Sequence, residues 1–266
     1  MRAYRLAYDG GPYRGFQRQP HGETVEDALL AALDELGVAE GGTPPGYAAA
    51  GRTDAGVSAL AQTVAFEAPG WLTARALNGD LPAEVRAWAS ADAPRGFHAT
   101  HDARSRTYCY HLHAPDANER LARAVCDRLS GEHDFHNLTS DDNGTARHLR
   151  AGTTREGAFL RCHFRAGGFP RGFVRRAARL VEAVATGERP LGFVDRVLGP
   201  DPLDGPDGVA AAPPEPLVLL SVTYPGLRFT VDERAAASAR EAFGTRRTAA
   251  SARARAMGLL EEGVDG

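Results

Sequence analysis

The sequence predicts an α+β fold of two ferredoxin-like β-α-β-β-α-β lobes, forming one large mixed, mainly antiparallel sheet with helices behind it and a central cleft. Three observations lead there. The order of strand-like and helix-like stretches in residues 1–103 is repeated in residues 104–225. The helical stretches each carry one apolar stripe that needs a covering surface. The strand-like stretches alternate aromatic or aliphatic with polar residues and are separated by turn residues. Residues 226–266 stand outside the repeat as a peripheral helical tail.

In the first lobe, residues 2–9 alternate tyrosines and aliphatics with polar groups and read as a strand. A loop dense in glycine follows, YDGGPYRGFQRQP, interleaved with Arg14, Phe16, Gln17 and Arg18. Aromatic and arginine side chains on a pliable backbone can stack on bases and contact phosphates. Thr24 to Asp27 resembles a capping box, and Val25, Leu29, Leu33 and Leu36 share one face of the helix that Gly37 stops. Residues 50–62 and 63–66 predict a hairpin or two neighbouring strands, 71–77 a short helix capped at Thr73, and 85–90 a closing strand.

The second lobe repeats this order. Residues 106–113 predict a strand, 118–129 a helix stopped by Gly131, 148–153 and 158–165 two strands, 170–186 a helix and 217–224 the last strand. In the helix, Phe173, Ala177, Leu180 and Val184 form the buried stripe, while Arg171, Arg175 and Arg179 recur every four residues on another face. That arginine row is expected to line the cleft. Residues 199–216 read as an exposed loop and 232–260 as a helix without chemistry.

Charge is unevenly spread. Between Asn143 and Val181 nine arginines face one acid, a net of +8 that leaves −11 for the rest of a chain whose net charge is −3. Such asymmetry suits one face that meets a polyanion. All 31 basic residues are arginine, the side chain best shaped for bidentate phosphate contacts. The three cysteines are far apart and predict neither disulfide nor zinc ribbon, and His98 with His101 and His133 with His136 lack companion ligands, so no metal is expected. The most apolar stretch, 217–222, is strand-sized, and with no signal-peptide pattern the expectation is a cytoplasmic protein.

The chain is organised around AGRTDAGVSALAQ, residues 50–62. Were it extended, Arg52 and Asp54 would share a face and form a guanidinium–carboxylate pair while Thr53 turned away. Gly51 and Gly56 allow close approach of another chain. A surface turn with an incidental ion pair would have the same composition. A phosphate-loop nucleotide hydrolase is excluded, because no Gly-Lys-Ser/Thr follows and the chain has no lysine.

Five stretches, in order, resemble the tRNA pseudouridine synthases of the TruA type: YDGGPYRGFQRQP, GRTDAGVSALAQ, ALNGDLPAEVRAW followed by FHATHDARSRTYCYHL, GEHDF, and LVLLSVTYP. The resemblance covers residues 2–225. It implies isomerisation of uridines 38 to 40 in the tRNA anticodon stem-loop, without metal or organic cofactor, by a homodimer. It implies Asp54 as nucleophile, Arg52 as the residue that extracts the uridine and holds its phosphate, Tyr108 stacked on uracil, Arg175 paired with the nucleophile and Leu217 as apolar wall. Arg14, Phe16, Gln17, Arg171 and Arg179 are the further candidate substrate contacts.

The sequence departs from many relatives around Arg175, where Pro170-Arg171-Gly172-Phe173 stands in place of histidines and a methionine and Arg176 in place of an asparagine. Pro216 replaces a glycine before the last strand. The chemistry fits the residue types. A nucleophilic carboxylate in a partly dry pocket needs a guanidinium beside it, and a base inside a stem must be extruded at a cost of about a few kcal/mol, offset by stacking and phosphate contacts. The competing reading is a non-catalytic RNA-binding module using the same basic cleft.

Overall fold

The computed structural model describes residues 1–264. The last two residues of the expected tail lie outside it. Ten strands form one sheet: β1 (Arg2–Tyr8), β2 (Ala48–Ala49), β3 (Ser58–Phe66), β4 (Val85–Asp92), β5 (Ser105–His113), β6 (Gly131–Asp134), β7 (Ala146–Glu156), β8 (Phe159–Ala166), β9 (Leu217–Thr223) and β10 (Thr230–Val231). Their spatial order is β10-β4-β1-β3-β9-β5-β8-β7-β6, with β2 also on β3. The fold is mixed α/β.

The helices are α1 (Val25–Glu35), α2 (Ala74–Leu77), α3 (Glu119–Leu129), α4 (Phe173–Ala185), α5 (Phe193–Val197) and α6 (Glu233–Val264). Local chemistry starts them where the sequence signals. Thr24 and Asp27 form a reciprocal capping box, Thr73 accepts from the Ala76 amide, and Asn118 accepts from Arg120 and Leu121. α1 buries Val25, Leu29 and Leu33, and α4 buries Phe173, Ala177, Leu180 and Val184, as their apolar spacing requires.

Every pairing but one is antiparallel. The exception joins the two halves: β3 and β9 run parallel and pair at Ser58 with Val218 and Ala59 with Leu219. Farther along β3, its hydrogen bonds pass to β2 at Val64 and Ala65. Buried Arg5 reinforces this joint, donating to Ala61 O and Thr63 Oγ1 on β3 and to Val222 O on β9. Its guanidinium also lies 4.0 Å from the centre of the Phe229 ring.

Three differences from the sequence reading bear on the site. Residues 50–57 are a loop, and β3 begins only at Ser58. β6, α5 and β10 are short additions that the residue pattern did not announce. The nine arginines of residues 143–181 do not form one face: Arg155 pairs with Glu119, Arg161 with Glu156 and Arg179 with Glu188, all away from the cleft. Cys109, Cys126 and Cys162 are buried free thiols.

Candidate active site

The loop from Ala50 to Val57 is fixed by its backbone. Ala50 O accepts from Arg106 Nε at 3.0 Å and Nη2 at 2.5 Å, and Gly51 O accepts from Gln62 Nε2 at 2.7 Å. Thr53 O accepts from the Phe16 amide at 3.0 Å, and the Val57 amide donates back to Asp54 O at 3.1 Å. Beneath it, Tyr8 Oη and Thr53 Oγ1 share a hydrogen bond of 2.8 Å. With its neighbours tied down, Asp54 holds its carboxylate out into the cleft, where its side chain keeps 44% of its exposure.

Close approach to this loop depends on glycine at three positions, one of them Gly15, which has φ +97° and whose Cβ would stand 2.8 Å from Thr53 O. A Cβ on Gly10 would stand 2.1 Å from Val57 O, so the two backbones could not meet as they do. Gly56 has φ +80°, a conformation L side chains rarely adopt, and its Cβ would meet Pro214 at 2.9 Å. Gly51 is different: a Cβ there would make only ordinary contact, 3.7 Å from Arg106 Nε.

Arg175, in the first turns of α4, brings Nη1 to 3.4 Å from Asp54 Oδ2 across the cleft. Its Nε donates to Ala212 O at 2.6 Å, so the guanidinium is held from behind. Tyr108 on β5 is buried, with its ring edge-on to Phe169 at 5.3 Å. Burial pushes its phenol up to about 12; nearby Arg106 opposes this and the Asp54 charge adds to it. Leu217, which opens β9, is also buried. All four side chains line one cleft of about 1310 Å³, whose ionisable lining comprises six arginines (Arg14, Arg52, Arg106, Arg147, Arg171, Arg175) against Glu26, Asp54 and Asp141. A predominantly cationic cleft of this size can admit an anionic, planar substrate to the carboxylate.

Some expected arrangements differ. The pair of Arg52 with Asp54 does not form: the segment turns instead of running extended, Asp54 pairs with Arg175, and among the described residues Arg52 makes no ion pair. It is exposed at the rim. Arg171 lines the cleft with its side chain 76% exposed, near Asp141. Arg179, a full turn beyond Arg175, is outside the cleft and neutralised by Glu188 at 2.5 Å and Glu182 at 3.5 Å. Arg14 pairs with Glu23 at 2.8 Å. Phe16 is almost wholly buried against Tyr8, so its ring is packing beneath the cleft and not a free stacking face. Gln17 lines the same wall.

Two groups of consequence escaped the sequence reading. Buried Arg106 donates to Ala50 O, Thr100 O and Gly167 O, clamping three separate segments at the cleft floor. Phe169 backs Tyr108 and stacks on Phe173 at 5.7 Å, linking the position of the phenol to the start of α4. The aromatic in Gly167-Gly168-Phe169 was the available signal; Arg106 gave none beyond being a charge in an otherwise aromatic strand.

A cleft that joins a positioned carboxylate, a clamped guanidinium and a buried phenol can support nucleophilic catalysis on a nucleic-acid base. A family described as tRNA pseudouridine synthase matches residues 125–225. The chain is 65% identical over 263 residues to the tRNA pseudouridine synthase A of Natronomonas pharaonis, covering 98% of each. It is 56% identical to that of Haloarcula marismortui, covering 99% of this chain and 100% of the relative. Identity to that of Methanothrix thermoacetophila is 38%, over 86% and 85% of the two chains. The chain belongs to the tRNA pseudouridine synthase A family, of the TruA type, and is an isomerase.

Proposed function

We propose that the chain converts uridines 38 to 40 of the tRNA anticodon stem-loop to pseudouridine, with Asp54 as nucleophile, in a cleft between two ferredoxin-like lobes spanning residues 1–103 and 104–225. The observation that carries the reading is the Asp54 carboxylate 3.4 Å from Arg175, in one cleft with Tyr108 and Leu217. The lobe division rests on strand order: β4-β1-β3-β2 on one side of the parallel joint repeats as β9-β5-β8-β7 on the other.

The uridine leaves its stem and enters between Tyr108 and Leu217, and stacking on an aromatic face is worth about 1–3 kcal/mol against the cost of extrusion. Asp54 attacks either uracil carbon 6 or the ribose anomeric carbon. The bond from ribose to nitrogen 1 breaks, the held base turns, the ribose bond re-forms at carbon 5, and the bond to Asp54 breaks with its electron pair returning to the carboxylate. The carbon 5 proton leaves and nitrogen 1 gains one, so nothing is oxidised and no outside group is transferred. Arg175 fixes the carboxylate, while Arg52, exposed and without an ionic partner among the described residues, supplies a charge for the extruded phosphate. Arg14, Gln17 and Arg171 line the approach.

The working form is a cytoplasmic homodimer, as the family resemblance implies, in which one protomer grips the tRNA body while the other presents its cleft. Pseudouridine mapping on an unmodified tRNA transcript tests the reaction. Product in the anticodon arm is expected with the wild type and absent with Asp54→Asn, which should still bind tRNA. Turnover by Asp54→Asn, or product confined to another arm, overturns the reading.

A further inference from the structure

The tail helix α6 splits into two unlike parts. Its first turns are packed: Ala235, Ala236 and Ala239 are buried, and the Asp232 amide donates to Trp88 O. Midway, Arg246 forms a double anchor, Nη1 to Asp9 Oδ2 at 3.0 Å and Nη2 to Glu84. Beyond the anchor the side chains are exposed almost without interruption to Val264. At 1.5 Å per residue, residues 247–264 form a rod of about 27 Å that has no packing partner among the described residues of the protomer.

The rod leaves at the catalytic end of the sheet. Tyr8 pairs with Val85 on one side and Ala59 on the other, so the Asp9–Glu84 anchor lies level with the start of β3, where the Asp54 loop enters. The chain connects the two directly: Gly10 packs on Val57, and Tyr13 O accepts from the Gly56 amide.

Its charge is one-sided. Residues 242–260 contain four arginines and no acid. Arg246 is occupied, while Arg247, Arg253 and Arg255 are exposed and, among the described residues, free of ion pairs. At about 100° per residue these three point to different sides of the helix, and so do Met257, Leu259 and Leu260. No single apolar stripe exists for a second copy to cover. A polyanion needs only nearby charge and accessible phosphates.

We propose that the free half of α6 is a basic arm that grips the tRNA backbone outside the anticodon stem-loop while the target uridine occupies the Asp54 cleft. This rests on the reading that the cleft receives an anticodon-arm uridine. The arm raises affinity without touching the reacting atoms.

The test uses full-length Arg247→Ala/Arg253→Ala/Arg255→Ala protein, with a tRNA transcript and an isolated anticodon stem-loop hairpin as ligands. Dissociation constants by fluorescence anisotropy and turnover are both measured across a salt series. For tRNA, Kd and KM should rise about tenfold, kcat should hold, and the slope of log affinity against log salt should fall by roughly 0.7–0.9 for each phosphate no longer neutralised. For the hairpin, the variant and the wild type should match. An unchanged tRNA Kd and salt slope overturns the proposal. So does an equal weakening on tRNA and hairpin, or a change confined to the sedimenting mass of the protein. Because anisotropy reads binding without turnover, an arm effect on tRNA affinity would persist even if the assigned uridine were wrong.

Discussion

Arg175 reaches Asp54 with one nitrogen and Ala212 O with another, so a single guanidinium spans the cleft at 3.4 Å on one side and is anchored at 2.6 Å on the other. The two contacts use different edges of the planar group. A lysine ammonium has one donor centre and cannot hold both at this spacing.

Arg175→Ala is therefore expected to lower kcat by about a hundredfold or more, the scale seen when one preorganised donor is removed from a catalytic site. Arg175→Lys should recover only a small part. Single-turnover pseudouridine formation with saturating tRNA measures this. Wild-type rates in Arg175→Lys would show that charge alone suffices.

Tyr108 presents a different expectation, because burial holds its phenol neutral up to about 12. Its ring and not its ionisation is what the cleft offers. Tyr108→Phe should keep most of the rate, and Tyr108→Leu should lose about 1–3 kcal/mol of base stacking, or roughly ten- to a hundredfold. Between pH 6 and about 9 the rate profiles of wild type and Tyr108→Phe should have the same shape. An inflection present in the wild type and absent in Tyr108→Phe would instead make the phenol an acid or base.

The sequence shows its capped helices and long strands clearly because their signals are local: Thr24, Thr73 and Asn118 each satisfy amides two or three residues away. The Asp54 loop is harder to read. Its alternating residues suit a strand, but Gln62, Phe16 and Arg106 take the hydrogen bonds that a neighbouring strand would need, so the chain turns instead. Arg106 itself is invisible because its value lies in three carbonyls, two of them 56 and 61 residues away. Arg179 has the same spacing as Arg175, yet Glu182 and Glu188 capture it. β6 and β10 are too short and too polar to show a period. The candidate nucleophile and its partner across the cleft were legible as residues, while the geometry joining them was not.

Alkaline pH should destabilise the fold before it alters the chemistry. Tyr4, Tyr108, Tyr110 and Tyr224 are pushed up to about 12, in each case chiefly by burial, whereas exposed phenols ionise near about 10. Tyr8 and Tyr47 are raised further in the same direction by the same cause. Between those values the unfolded chain binds fewer protons than the folded one, so the phenols' contribution to stability is intact below about pH 10 and lost as pH rises toward 12. Buried Arg5, lowered to about 10 by desolvation, acts in the opposite direction, but it is one group against several. Urea midpoints should fall steeply across this window, and flat midpoints would contradict it.

The largest structural effect of one substitution near the site is expected at Arg106. Its guanidinium is buried and satisfied by carbonyls alone, at 3.0 and 2.5 Å to Ala50 O, 2.9 Å to Thr100 O and 2.5 Å to Gly167 O. Arg106→Met keeps the apolar stem but strands these acceptors, each at a cost of about 1–3 kcal/mol unless water reaches it. Removing the clamp on Ala50 also frees the loop that carries Asp54, so catalysis should fall by more than global unfolding explains. Urea melts and single-turnover rates at a temperature where the variant is fully folded separate the two effects. A destabilised Arg106→Met that retained the wild-type rate would limit Arg106 to holding the fold, and would place the positioning of Asp54 on Tyr8 and Phe16, which grip Thr53 from below.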